Sequence, residues 1–205
     1  MEVVIMKIII ETVVSEEDES AMRRIRRDIF EREMGIKLAP PDVQDRNAIA
    51  HLLARAEPDR EPIGTLSVID TSGDHELHAS CGLKFEPHAR VARYMHLAVL
   101  KPYRGMNVPL MMMLEAHRRV IIPHRFDYTW LLFDVKRAAT SFLCQRLGFT
   151  PTADTFISEY GCRCPLLRDE RTPWAVEVIE RAEQSLFQHP GSLSAAAHAL
   201  ASLSA

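Results

Sequence analysis

Residues 89–114, ARVARYMHLAVLKPYRGMNVPLMMML, constrain the fold more than any other stretch of the chain. Val91 to Val99 is apolar at nearly every position, as a central strand covered on both faces must be. It runs through Lys101-Pro102 and an Arg104-Gly105 turn into a long apolar segment of helical period. A strand that turns tightly into a helix leaves the first-turn amides without intrahelical partners and aims the positive end of the helix dipole at one spot. That spot suits a phosphate.

A chain of 205 residues can bury one real core, which allows a single domain with a small appendage. The formal net charge is −3, and a main role in binding nucleic acid calls for a basic excess instead. Cys81, Cys144, Cys162 and Cys164 are too few and too scattered for a disulfide framework. Cys162 and Cys164 stand closer together than zinc ligands usually do, and no matching pair follows, so no metal is expected. Reduced thiols in a cytoplasmic protein are the expectation. No apolar run reaches the length of a membrane span, and Glu2 and Lys7 interrupt the apolar N-terminus, which reads as a strand and not a leader.

Val3 to Val14, dense in Val and Ile, reads as a long buried strand. Ser15 stands three residues before Asp18, with Glu16, Glu17 and Glu19 in the same turn, which is the pattern of a helix start. Met22, Ile25 and Ile29 follow at helical spacing, and Gly35 ends the run. The other face is assigned Arg23, Arg24, Arg26 and Arg27, either a solvated face or a docking surface for an acidic partner. Residues 36–47, with Pro40-Pro41, form a loop, and Ala48 to Ala54 pairs with Pro62 to Ile69 across the turn at residues 57–60. His75 to His88 has no clean period, and its histidines fit no ligand motif, so it reads as an irregular loop lining something.

Within the central strand, Arg93, Tyr94 and His96 break the apolar run, and each is either a satisfied core residue or part of a site. Alternation places Tyr94 and His96 on one face and Arg93 on the other. Helical period resumes at Val108, with Pro109 tolerated in the first turn and Pro123 closing the segment. Met111, Met112 and Met113 fill core or wall an acyl tail. Phe126 to Asp134 is a strand, Val135 to Leu147 a helix stopped by Gly148, and Thr155 to Tyr160 and Cys162 to Leu167 are short strands. Thr172-Pro173 opens a last helix, and beyond Pro190-Gly191 the tail is of low complexity.

This order of elements, with LAVLKPYRGM (Leu97 to Met106) and AATSFLCQRLGF (Ala138 to Phe149), resembles the GNAT acyltransferase family over residues 1–168. Residues 169–189 then form a C-terminal helix packed on that domain, and 190–205 the tail. The resemblance implies an α/β (α+β) fold: a mixed, mostly antiparallel central sheet flanked by helices, splayed at the central strand, plus a C-terminal helix. It also implies transfer of an acyl group from acyl-CoA, acetyl-CoA or longer, to a small-molecule amine. Leu97, Ala98 and Val99 would offer backbone groups to the pantetheine arm and an N–H to the thioester oxygen. Arg104, Gly105, Met106, Asn107, Val108 and Pro109 would hold the pyrophosphate. His96 is the candidate base, assisted by Tyr94, and Cys144 stands where the family commonly has a Tyr that protonates the leaving thiolate.

Asn107 and Pro109 occupy positions where the family usually repeats glycine, so pyrophosphate binding is expected to be weakened or reshaped. Cys144 either donates a proton or merely packs. Cys81-Gly82-Leu83 followed by ARVARYMHLAV is similar to the GNAT-related N-acyl amino acid synthases and acyl-homoserine-lactone synthases, which draw on acyl carrier protein. That likeness implies an acyl-phosphopantetheine donor on an acidic carrier, met by Arg23, Arg24, Arg26, Arg27, Lys101 and Arg104. A non-catalytic acyl-CoA-binding module is the third reading. The acceptor stays open, and so does the oligomeric state, a homodimer included.

Overall fold

The structure is a computed structural model and describes residues 6–40, 45, 47–136, 143–152, 155–158 and 161–188. Strand β1 is Ile8–Thr12, shorter than the sequence pattern implies, with residues 1–5 outside the described set. Helix α1, Glu16–Arg26, opens on the capping box: the Asp18 amide donates to Ser15 Oγ at 3.1 Å, and the Ser15 amide donates to Asp18 Oδ2 at 3.4 Å. The helix widens into a π-helical stretch, Arg27–Glu33, and the chain leaves it at Gly35, whose φ is +67°.

Arg26 corrects the expected solvated face, because it is 2% exposed. Positions 22, 25, 26 and 29 form the i, i+3, i+4, i+7 stripe of a buried helix face, and Arg26 lies in that stripe.

Strands β2 (Ala48–Ala56) and β3 (Glu61–Asp70) pair as expected. The segment read as irregular begins with a short helix, α2 (His75–Ser80), because Asp74 Oδ1 accepts the Leu77 amide at 3.0 Å and caps it. His78 in this helix is buried against Phe85, with Nε2 3.2 Å from Thr71 Oγ1, so it is a core histidine. Strand β4 (Val91–Val99) leads through a turn to α3 (Val108–Ala116), which continues π-helically over His117–Ile121. After β5 (Tyr128–Asp134), residues 143–146 are helical, while residues 137–142 of the expected helix lie outside the described set. Strands β6 (Thr150–Pro151), β7 (Phe156–Ser158) and β8 (Gly161–Asp169) precede α4 (Pro173–Gln188). Thr172 Oγ1 accepts the Ala175 amide at 3.2 Å at the start of α4. The tail at 190–205 lies outside the described residues.

The strands form one sheet in the order β1-β2-β3-β4-β5-β8-β6, with β7 also on β8. All pairings are antiparallel except β4 with β5, so the sheet is mixed and mostly antiparallel. Helices α3 and α4 cover one face in a core that includes Leu66, Val68, Tyr94, Leu110, Met112, Leu131, Phe149 and Ile179. Met112 and Met113 are fully buried there as packing residues, whereas Met111 is half-buried. On the other face α1 packs Met22 and Ile25, and the π-helical stretch Ile29, against Leu53 and Ala98, and the segment after α2 packs Cys81 and Leu83 against Val91 and Trp130.

Gly148 has φ +76°, and a Cβ there would meet the Trp174 ring at 3.1 Å. The indole edge can move, so the left-handed backbone sets the cost. Gly148→Ala is expected to destabilise the protein by about 1–2 kcal/mol in urea unfolding, and an unchanged midpoint would show that this helix end is not held in the left-handed conformation.

Candidate active site

The parallel ladder between β4 and β5 contains only three pairs, Val91 with Tyr128, Ala92 with Thr129 and Arg93 with Trp130. Beyond them β5 stays with β8 as far as Asp134 opposite Arg163, and β4 stays with β3 as far as Val99 opposite Gly64. The strands therefore part, and among the described residues the edge of β4 from Tyr94 to Val99 that faces β5 has no strand partner. Unpaired strand edge is what an extended ligand can add itself to.

A bulge accompanies the parting. Ser67 pairs with Met95 and Thr65 with Ala98, so His96 and Leu97 together oppose Leu66. His96 takes φ +53°, a conformation costly for a side chain other than Gly or Asn. The extra residue changes which face the following side chains occupy: Tyr94 points into the α3 core, while His96 turns to the α1 face with its ring edge-on to Phe30 at 6.0 Å. The alternation expected for an unbroken strand is corrected accordingly, since Tyr94 and His96 lie on opposite faces. Leu97 is half-buried, Ala98 packs under α1, and Val99 packs toward α3.

At the end of β4 the turn brings Gly105 (φ +88°) and Asn107 (φ +56°, ψ 12°) to the start of α3. Asn is the residue other than Gly that enters the left-handed region most readily, so Asn107 keeps the bend a glycine would give. Among the described residues the amides of Gly105, Met106, Asn107, Val108 and Leu110 make no hydrogen bond, and the first helical bond is donated by Met111 to the Asn107 carbonyl at 3.0 Å. Pro109 removes one donor from this group. Arg104 is engaged elsewhere, with Nε donating to the Val99 carbonyl at 2.9 Å and a terminal nitrogen on Glu33 at 2.6 Å. Its side chain braces the loop to the end of the π-helical stretch. Met106 packs on the α3 core, where Val108 is fully buried.

Three side chains were candidates for proton transfer. Burial, with Arg26 adding to it, pushes His96 down to about 3, and its Nδ1 is sealed from solvent without a partner among the described residues. It is a neutral acceptor or donor of hydrogen bonds, and a weak base. The Tyr94 ring lies tilted against Phe149 at 6.0 Å with its hydroxyl buried and without a hydrogen-bond partner among the described residues, and burial raises its phenol above the ordinary value. Cys144 is 1% exposed in the α3 core, and burial pushes its thiol up to about 12. A proton held that firmly is not released at neutral pH, which favours the packing role for Cys144.

Beside His96 lies a polar cluster that the sequence reading missed. Arg26 donates to Asp45 Oδ1 at 2.8 Å and to Ser67 Oγ, and Ser67 Oγ lies 2.7 Å from His51 Nδ1. Burial lowers the His51 pKa, with Asp45 opposing. A different groove, of about 600 Å³, is lined by Arg55, Arg60 and the β2–β3 turn. Its charges are already matched, Arg55 by Asp18 and Arg60 by Glu11, and it leaves neither arginine without a partner. Among the described residues no three His, Cys, Asp or Glu side chains converge to hold a metal ion, and no helix is long and apolar enough to cross a membrane.

No family model matches the sequence, and no curated protein matches it. Solved structures do. FeeM, an N-acyl amino acid synthase from uncultured soil microbes, superposes with TM-score 0.61 at 14% identity over 84% of this chain and 93% of its own. NAA60 of Arabidopsis thaliana in complex with acetyl-CoA gives TM-score 0.63 at 13% identity, over 81% of this chain and 100% of that one. An acetyltransferase of the GNAT family from Staphylococcus aureus Mu50 gives 0.58 at 13%, over 80% and 99%. The chain has the GNAT fold.

His96 stays neutral in the folded protein down to about pH 3, whereas a solvated histidine takes up its proton near 6.5. The unfolded chain thus binds the additional proton between those values, and stability falls as pH drops through that window. His96→Asn tolerates the left-handed bulge and cannot charge, so its urea midpoint is expected to fall less than that of the wild type between pH 7 and pH 4.5. Equal losses would show that His96 is not held neutral by the fold.

Proposed function

We propose that this chain is an N-acyltransferase that moves an acyl group, acetyl or longer, from a coenzyme A thioester to an amine. The observation that carries the reading is the juxtaposition of the unpartnered β4 edge with the free amides of Gly105 to Val108 and Leu110. The first suits the amide-bearing pantetheine arm, and the second, at the positive end of α3, suits its pyrophosphate. Likeness to one protein named as an acetyltransferase of the GNAT family, and to another in complex with acetyl-CoA, supports the same reading. The donor supplies an activated acyl group. The chain's own part is to align it along Leu97 to Val99 and to present N–H groups where charge gathers on a carbonyl oxygen.

His96 orients the amine in this reading. With a pKa of about 3 it cannot store the amine's proton at neutral pH, so the proton passes to solvent or to the half-buried His51 and Asp45 beside it. Tyr94, on the opposite face, has no part in that path.

Docking of an acidic carrier protein is less well supported. Arg26 is buried, Arg23 pairs with Glu19 at 2.7 Å and Arg104 with Glu33. Arg24, Arg27 and Lys101 remain exposed and without an ion-pair partner among the described residues.

Pro109→Ala restores a first-turn N–H without leaving the helical conformation. A hydrogen bond to a charged group contributes roughly 1.5 kcal/mol at the low end, so coenzyme A affinity in calorimetric titration should rise about tenfold. Unchanged affinity in a variant that binds coenzyme A would place the phosphates elsewhere, and a wild type that does not bind it would refute the acyl-CoA reading.

A further inference from the structure

Among the described residues Arg93 has no counter-ion. Arg93 is half-buried, and the other arginines drawn into the sheet region each have a counter-ion: Arg26 pairs with Asp45 at 2.8 Å, Arg55 with Asp18 at 2.5 Å and Arg168 with Glu170 at 2.7 Å. Among the described residues no carboxylate lies within ion-pair distance of Arg93. Asp74, which acts on it only at longer range, is exposed and occupied as the cap of α2. The Arg93 guanidinium lies over the Trp130 ring at 4.6 Å, and its Nε is sealed from solvent with no acceptor. Stacking over an aromatic face offsets only part of the cost of drawing a guanidinium partly out of water with one N–H left unbonded. An anion supplied from outside the chain would close that gap.

Its position says which anion. Arg93 and Trp130 form the last pair of the parallel ladder, so the guanidinium sits at the floor of the parting. His96 follows on the same face of β4, three residues nearer the mouth, with Nδ1 also sealed and unpartnered. The phosphate-suited amides lie at the far end of β4, beyond Val99. An anion on Arg93 is therefore a different group from the donor's phosphates. Resting on the acyl-transfer reading, we infer that the acceptor is an aminocarboxylate whose carboxylate sits on Arg93 while its amino group lies near His96 at the parted edge. A polyamine would bring a second cation toward Arg93 and is disfavoured. Three residue steps of extended strand span roughly 10 Å, so an acceptor with several bonds between nitrogen and carboxylate suits the site as well as an α-amino acid.

Calorimetric titration of the full chain, with and without saturating coenzyme A, tests this. Glycine, 4-aminobutyrate and 6-aminohexanoate are each compared with the alkylamine that lacks the carboxylate: methylamine, propylamine and pentylamine. At least one acid is expected to bind about tenfold or more tightly than its partner amine, which corresponds to one charge-assisted hydrogen-bonded pair. Arg93→Gln should erase that preference and Arg93→Lys retain part of it, with a cooperative urea transition showing that each variant is folded. Equal binding within every pair, tighter binding of an alkylamine or of spermidine, or a preference that survives Arg93→Gln would overturn the inference. Binding of coenzyme A with no carboxylate preference removes this subsite alone. Carboxylate preference without coenzyme A binding removes the donor reading and leaves an aminocarboxylate site.

Discussion

The departure of β4 from β5 after Arg93 and Trp130 is the constraint on which the rest depends. Two antiparallel partnerships pull the strands apart, β3 holding β4 and β8 holding β5. The bulge at His96 and Leu97 adds local twist just past the last shared pair. A sheet that separates in its middle exposes backbone that would otherwise be paired, and a buried unpaired peptide group is expensive. Groups left unpaired in this way must be met by a ligand or by water. The same strand then turns through Gly105 and Asn107 into α3, which places a second set of unpaired amides at the end of the opening.

On the α1 face the parting is bordered by buried charge. A buried ion pair such as Arg26 with Asp45 is seldom a net gain over a well-packed apolar pair, because both ions lose water. What this pair does supply is position: it anchors residue 45 to β3 through Arg26 and Ser67 and keeps His51 alongside. The positive field of Arg26 and Arg93 is also one reason His96 stays neutral. On the α3 face Arg168 bonds Glu170 and the Leu147 carbonyl, Cys144 is enclosed, and the Tyr94 hydroxyl is buried. Under the proposed acyl transfer, the groups assigned to take the proton, His51 and Asp45, lie on the α1 side.

Much of this was legible in the sequence because strong local patterns agreed with the fold. The apolar run Val91–Val99, the capping box at Ser15 and Asp18 and the left-handed stop at Gly148 each follow from short-range rules. Arg26 was legible in principle, since it falls in the stripe with Met22, Ile25 and Ile29, but a charged residue is read as exposed until its partner is known, and Asp45 lies nineteen residues away. The faces of Tyr94 and His96 were not legible, because a bulge leaves no mark in a run of apolar residues and reverses the alternation that strand reading relies on. Helix α2 was hidden by its brevity, too short for a period to show. Asn107 was read as a loss of glycine, yet its φ of +56° keeps the bend while its side chain adds bulk.

Amide hydrogen exchange, compared with and without saturating coenzyme A, addresses the parted strand most directly. Slower exchange confined to two segments, Leu97 to Val99 and Gly105 to Leu110, is the predicted result, since both are then covered by one extended ligand. Protection that falls elsewhere, or exchange at these amides unaffected by a ligand shown to bind, would contradict the account.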